Sequence, residues 1–382
     1  MRPGDPGWLE AEQNRLLDFG TSAAPGSWLD DVGLADPGQP RQTWLCARTL
    51  YVRSLGVLLG RPGSGLLAAG ALAALDGEFR DHEHGGWLPV EKSCYQHAFV
   101  LLAAATAHRA EVPGAERLLA DAEPVFEGRF WDERSGMCID EWSRDWSTPA
   151  SYRGLNGTMH AVEAMLAVGG VWTDRAARIC ERVVGIGRDF GWRLPEHYDE
   201  QWVPQPDFNR EQPNDQFKPY GATVGHAFEW ARLLLHLDAA TGQDHTAAAV
   251  ALYERAATDG WAVDGAKGFV YTTDWEGRPV VHDRMHWVVA EAIAAATVLH
   301  ATTGEERYDR DARTWWEYAD RYLLDREQGS WHHQLDRHQH PLRTVWPGKP
   351  DLYHAVQATL FARFPVRGSL PEAIASGQLG LA

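Results

Sequence analysis

The chain has 382 residues, enough to bury a large core. Apolar residues make up 44% and charged residues 23%, the balance of an ordinary globular protein. A formal charge of −17 argues against binding nucleic acid or an anionic membrane surface, and favours a neutral small-molecule substrate.

The N-terminus, MRPGDPGWLEAEQ, has no apolar leader stretch, and no run of 18 apolar residues follows anywhere, so a cytoplasmic location is the default expectation. Two kinds of helical pattern then alternate along the chain. One kind is amphipathic and falls near 6–19, 63–78, 114–128, 174–190, 244–258 and 305–324. The other is apolar nearly all round and falls near 41–59, 92–109, 156–169, 222–240, 284–302 and 350–363. A wet face marks a peripheral helix, and its absence marks a buried one. Each buried segment carries a polar landmark: Arg48, His97, His160, His226, His286 and His354. Short Gly/aromatic stretches precede several of them: HGGWLPV (84–90), SGMCIDEW (135–142), GWRLPEHYDEQWVP (191–204), KGFVYTTDW (267–275) and GSWHHQLD (329–336). Gly followed by alternating residues predicts a tight turn into a short strand. Six inner and six outer helices predict an all-α fold, an (α/α)6 barrel with short β-hairpins on one rim. The spacing of 49 to 68 residues between landmarks is too uneven for an open solenoid. No linker divides the chain, so one domain over 1–382 is expected, with the tail after Phe364 outside the ring or frayed.

The inner helices place polar groups where a core would prefer Leu. Asn156 and His160 are four apart, and Glu163 follows three later on the same face. His226 and Glu229 are three apart; Trp287 and Glu291 are four apart. The first two inner helices offer Arg48, and Lys92, Tyr95 and His97; the last offers Asp351 and His354. Each alone reads as a hydrogen-bonded core residue. Together, on helices that converge in a ring, they predict a polar pocket. Paired histidines can act as acid and base near neutral pH, and Arg can stabilise an oxyanion. That kit suits proton abstraction next to a carbonyl. Glycoside hydrolysis, with Glu229, Glu291 or Asp351 as its carboxylates, is the alternative; a sugar-binding helical scaffold without catalysis is a third. His82 and His84, His338 and His340, and His332 and His333 lie in polar connections and read as solvated. No metal-site or nucleotide-binding motif accompanies them, so no metal and no cofactor is expected. Cys46, Cys94, Cys138 and Cys180 form no C-x-x-C pair and read as reduced and buried.

The strings KSCYQHAFVLLAA, LNGTMHAVEAMLA, YGATVGHAFEWARLLL and GKPDLYHAVQATLF resemble the N-acylglucosamine 2-epimerase family, over about residues 40–364. They are most similar to its aldose–ketose isomerase branch. The resemblance implies an (α/α)6 barrel and a reaction through a cis-enediol(ate) without metal or nucleotide. It implies that His226 and His354 are the acid/base pair and that His160 and Arg48 stabilise the oxygens at C1 and C2. Asn156, Tyr95 and Glu229 fall on substrate-contacting positions, and Trp287, Glu291 and Asp351 complete the predicted pocket. Lys218 is the only basic residue in NDQFKPYG (214–221), so an uncharged hexose is expected. Conversion of D-mannose to D-fructose is the first expectation and 2-epimerisation to glucose the second; the oligomeric state is left open.

Overall fold

The computed structural model describes residues 2–88 and 92–379. The last two residues of HGGWLPV, and the ends of the predicted 1–382 span, lie outside the described residues. Twelve helices appear where the two patterns alternate. The peripheral set is α1 (Pro6–Asp18), α3 (Ser64–Asp76), α5 (Ala115–Arg129), α7 (Val171–Asp189), α9 (Thr246–Gly260) and α11 (Glu306–Tyr318). The inner set is α2 (Thr43–Leu58), α4 (Cys94–Arg109), α6 (Leu155–Val168), α8 (Val224–Thr241), α10 (His286–Thr303) and α12 (Tyr353–Phe361). Each inner helix packs on the next, and α12 returns to α2, so the ring closes. Each outer helix packs on the inner helix before it in the chain, except α1, which backs α12. The first helix therefore completes the outer layer beside the last.

Composition explains the two layers. In α11, Tyr308, Ala312, Trp315 and Trp316 are buried while the charged residues between them stay wet. In α10, thirteen of eighteen residues are buried, with Ala at six positions that let neighbouring helices approach. Gly242 and Gly304 end α8 and α10 in the left-handed conformation, at φ 75° and 71°. The predicted last inner helix starts three residues late. Asp351 accepts a hydrogen bond from Tyr353 N (2.9 Å) and so sets its first turn. Beyond α11 the backbone widens into a π-type turn over 319–323.

The rim is built by a repeated pairing. Two residues before an inner helix pair, antiparallel, with two residues in the following outer-to-inner connection. Lys92–Ser93 pair with Glu141–Trp142, Arg153–Gly154 with His197–Tyr198, Ala222–Thr223 with Thr272–Thr273, and Arg284–Met285 with Gln334–Leu335. A buried ion pair fastens three of these connections: Lys92–Asp81, Arg284–Asp264 and Lys349–Asp325, each 2.7 Å. Each cation stands just before an inner helix and reaches back to an Asp in the turn before it. Each is also bound by backbone carbonyls, which a buried ammonium or guanidinium needs. Lys92 thus belongs to the rim.

The tail corrects the expectation that it would lie outside the ring or fray. Helix α13 (Leu370–Ala375) packs across α2, α4, α6 and α12. His236, near the C-terminal end of α8, bonds Arg367 O at 2.6 Å, which places the tail at that end of the barrel. The other end, under the rim, is left for the cavity. Among the described residues, no helix is long and apolar enough to cross a membrane.

Candidate active site

A cavity of about 530 Å³ lies at the N-terminal ends of the inner helices. Its wall includes Arg48, Tyr95, Asn156, His160, His226, Glu229, Trp287, Asp351 and His354, nine of the ten predicted site residues. They come from all six inner helices, with Asp351 two residues ahead of α12, so the ring geometry brings them together as the spacing predicted. The tenth, Glu291, does not line the cavity; it stands behind His354. His97 is also off the cavity: its Nδ1 meets Ser93 O at 2.9 Å and its Nε2 accepts from Trp87 N, a satisfied core histidine.

His226 and His354 share one design. His226 Nδ1–H donates to Glu196 Oε1 at 2.9 Å, and His354 Nδ1–H donates to Glu291 Oε1 at 2.8 Å. A carboxylate accepts only, so each pairing fixes the proton on Nδ1 and leaves Nε2 for the cavity. The Trp287 ring lies against both imidazoles, with centroids 5.1 Å from His226 and 5.6 Å from His354. Burial, with the Arg48 charge adding to it, holds His354 well below the ordinary histidine range. A neutral base is therefore available at pH 7.

Arg48 donates to Asp351 Oδ2 (2.8 Å) and Tyr95 Oη (2.9 Å). Its guanidinium also lies over the rings of Phe99 and Tyr353, at 4.3 and 4.6 Å. Burial would raise the Asp351 carboxyl, but Arg48 outweighs it and keeps it low and ionised. His160 Nδ1 stands 3.6 Å from Glu229 Oε1. Burial and Arg48 hold His160 neutral, and burial beside Glu291 raises Glu229 well above the carboxylate range.

Beneath these groups lies Arg232, fully buried. It reaches Glu291 at 3.1 Å, Glu229 at 3.5 Å and Glu163 at 3.8 Å. Among the described residues, two groupings approach metal-ligand spacing: His160–Glu163–Glu229 and Glu229–Glu291–His354. Their carboxylates all surround the Arg232 guanidinium, so the chain supplies its own central cation there.

Several residues of the site were not singled out from sequence. Glu196 sits in the 191–204 connection, where nothing in its neighbours announces a partner 30 residues ahead. Arg232 did leave a signal: a charge in an apolar helix, three after Glu229. His333 corrects the reading of 332–333 as solvated. It is 3% exposed and lines the cavity, because the rim strand at Gln334–Leu335 turns it inward. Gln216, Phe217, Tyr271 and Trp346 complete the wall. An adjoining space of about 1300 Å³ shares Tyr95, Asn156, Gln216 and Phe217 with it and forms an approach lined by Trp28, Trp44 and Tyr152. Lys218 lines this outer space, with its ammonium 4.3 Å from the Tyr152 ring centroid, and does not line the inner cavity.

Comparison with known proteins agrees with this architecture. Residues 26–358 match the N-acylglucosamine 2-epimerase (GlcNAc 2-epimerase) family. A D-mannose isomerase of Thermobifida fusca is 46% identical over 395 residues, covering 97% of each chain. A D-mannose isomerase of Pseudomonas cannabina pv. alisalensis is 42% identical over 398 residues, covering 98% of this chain and 96% of that protein. A crystal structure of a D-mannose isomerase, 24% identical, superposes with a TM-score of 0.87 over 95% of this chain and 99% of that one, a likeness of fold. With the closed ring of twelve helices and the cavity under its rim, these matches show that the chain belongs to the N-acylglucosamine 2-epimerase family.

Proposed function

We propose that the protein is an aldose–ketose isomerase that interconverts D-mannose and D-fructose. One observation carries the reading. Two buried imidazoles, each tied at Nδ1 to its own carboxylate, present Nε2 to one cavity that also holds Arg48. Two relatives above 40% identity bear the name D-mannose isomerase. In the opened sugar, one histidine removes the C2 proton and the electron pair moves to give a cis-enediol(ate). Arg48 and His160 stabilise the oxygens at C1 and C2. The hydroxyl proton on O2 passes to O1, and a proton delivered to C1 completes the ketose. His226 and His354 share the two transfers. Tyr95, Asn156, Glu229, Trp287 and Asp351 hold the sugar, and Glu291 orients His354. The chemistry needs no metal or nucleotide, and the free, buried cysteines suit a reducing, cytoplasmic location.

Glycosidic hydrolysis fits the same wall poorly. It needs an acid and a base carboxyl on opposite sides of the bond. Asp351 is held by Arg48, Glu291 stands behind His354, and Glu229 is buried beside Arg232.

The test is proton NMR of EDTA-treated protein with D-mannose in D2O. Fructose is the expected product, at a rate unchanged by EDTA. Glucose deuterated at C2 would make the enzyme a 2-epimerase instead, with the same histidines. Untouched mannose would sink the substrate assignment.

A second expectation concerns Gly225, beside His226. A Cβ there would stand 2.2 Å from the Trp287 ring. Gly225→Ala is expected to displace Trp287 from between the histidines and to lower kcat/KM at least about 10-fold, with a stability loss of about 1–3 kcal/mol. Steady-state kinetics beside a denaturation curve checks it; wild-type kinetics would mean that the position of Trp287 does not matter.

A further inference from the structure

Two more histidines face the cavity, and the proton transfers do not use them. His286 opens α10; His333 lies in the connection that leads to α12. Their rings stack with centroids 3.8 Å apart and 25° between planes. They are 4% and 3% exposed, and both line the cavity. His286 Nδ1 lies 3.3 Å from the His333 carbonyl oxygen, so that nitrogen carries the proton. The backbone of Asp351 holds the His333 ring in a like manner. In each ring Nε2 is buried and without a partner. A buried acceptor with no donor is unfavourable unless a ligand supplies one.

These rings differ from His226 and His354 in what stands behind them. The catalytic pair backs onto carboxylates, which can stabilise an imidazolium as it forms. The stacked pair backs onto neutral carbonyls, and a proton taken up by one ring would be repelled by the other. Burial holds His286 down to about 4 and His333 well below the ordinary range. Both are therefore fixed acceptors rather than proton carriers. Two parallel acceptors match two hydroxyl donors on neighbouring carbons. They enter from α10 and the α11–α12 connection, whereas Arg48 and His160 enter from α2 and α6.

We propose that His286 and His333 bind a pair of adjacent sugar hydroxyls outside the C1–C2 pair and thereby set which hexose is accepted. This rests on the isomerase reading above.

The test uses His286→Phe, His333→Phe and His286→Gln with D-mannose and its 3-, 4- and 6-deoxy forms. His286→Phe keeps an aromatic ring on His333 but removes the acceptor. It is expected to lower kcat/KM for D-mannose about 10- to 100-fold, mainly through KM, because a substrate hydroxyl is then buried without a partner. His286→Gln, which keeps an acceptor, is expected to recover most of the loss. For one deoxy sugar, the one lacking the hydroxyl read at this position, the penalty should shrink to about 3-fold or less. The same holds for His333→Phe with a neighbouring deoxy position. Equal penalties on every sugar, or an unchanged KM, would overturn the proposal. Sugar binding, followed by quenching of tryptophan fluorescence, reports the same discrimination without turnover. A wild-type protein that binds but does not convert mannose would sink the isomerase reading, while the binding ratios still decide this one.

Discussion

Replacing His354 by Gln is expected to lower kcat on D-mannose by about 10³-fold, with the same for His226→Gln, while the fold stays intact. Gln can still donate to the carboxylate behind each imidazole, Glu291 or Glu196, so neither is left as an unpaired buried charge. What Gln cannot do is carry a proton to or from carbon. The two variants then separate the roles. Loss of deuterium from C2-labelled mannose reports the first transfer, and fructose formation reports the whole sequence. A variant that keeps the C2 exchange but makes no fructose has lost the group that serves C1. A variant that loses both has lost the C2 base. Glu291→Gln and Glu196→Gln are expected to fall between, at about 10- to 100-fold, because they loosen the tautomer and leave the base. More than a tenth of wild-type kcat in either His→Gln variant, with melting behaviour unchanged, would remove that histidine from the mechanism.

The helix layers were legible because their signal is local. Burial on all sides demands an apolar sequence on all sides, and α8 and α10 show that along their whole length. The polar residues in those helices stand out for the same reason, which is how His226, Glu229 and His354 were found together. The rest depends on contacts between distant segments. Glu196 is defined by His226 across 30 residues, and His333 faces inward only because its strand pairs with Arg284–Met285. Period and composition carry no trace of either. The tail was misread for a related reason: a six-residue helix is too short to show a face, and the barrel end it covers exists only in three dimensions.

The buried histidines also predict how the protein responds to acid. His97, His236 and His286 are held down by burial to about 3, 4 and 4. In the unfolded chain each would titrate near 6.5. Between those values the unfolded state binds more protons than the folded one, so stability rises with pH and is lost as pH falls below about 6.5. At pH 5 each of the three contributes a loss of about 2 kcal/mol, or about 6 kcal/mol together. His160, His333 and His354 shift in the same direction. Buried carboxyls oppose this. Asp140 is raised by burial to about 6 and, kept protonated, returns about 1 kcal/mol over the same range; Glu163 and Glu229 are raised too. His197 and His332 are lowered as well, and Asp283 is raised. Eight histidines against four carboxyls leave a net loss in acid, and a domain has only about 5–15 kcal/mol to lose. Urea denaturation at pH 8, 6.5 and 5 is therefore expected to show stability falling steeply over the last interval. His97 lies outside the cavity, so His97→Gln, which removes one titrating group, should flatten that fall by up to about 2 kcal/mol with sugar turnover unchanged. The variant's loss at pH 8 is a packing cost, so the slope with pH, not the absolute value, is the measurement that decides. Stability that is constant or rising from pH 8 to 5 would mean that the carboxyls govern the balance and the histidines do not.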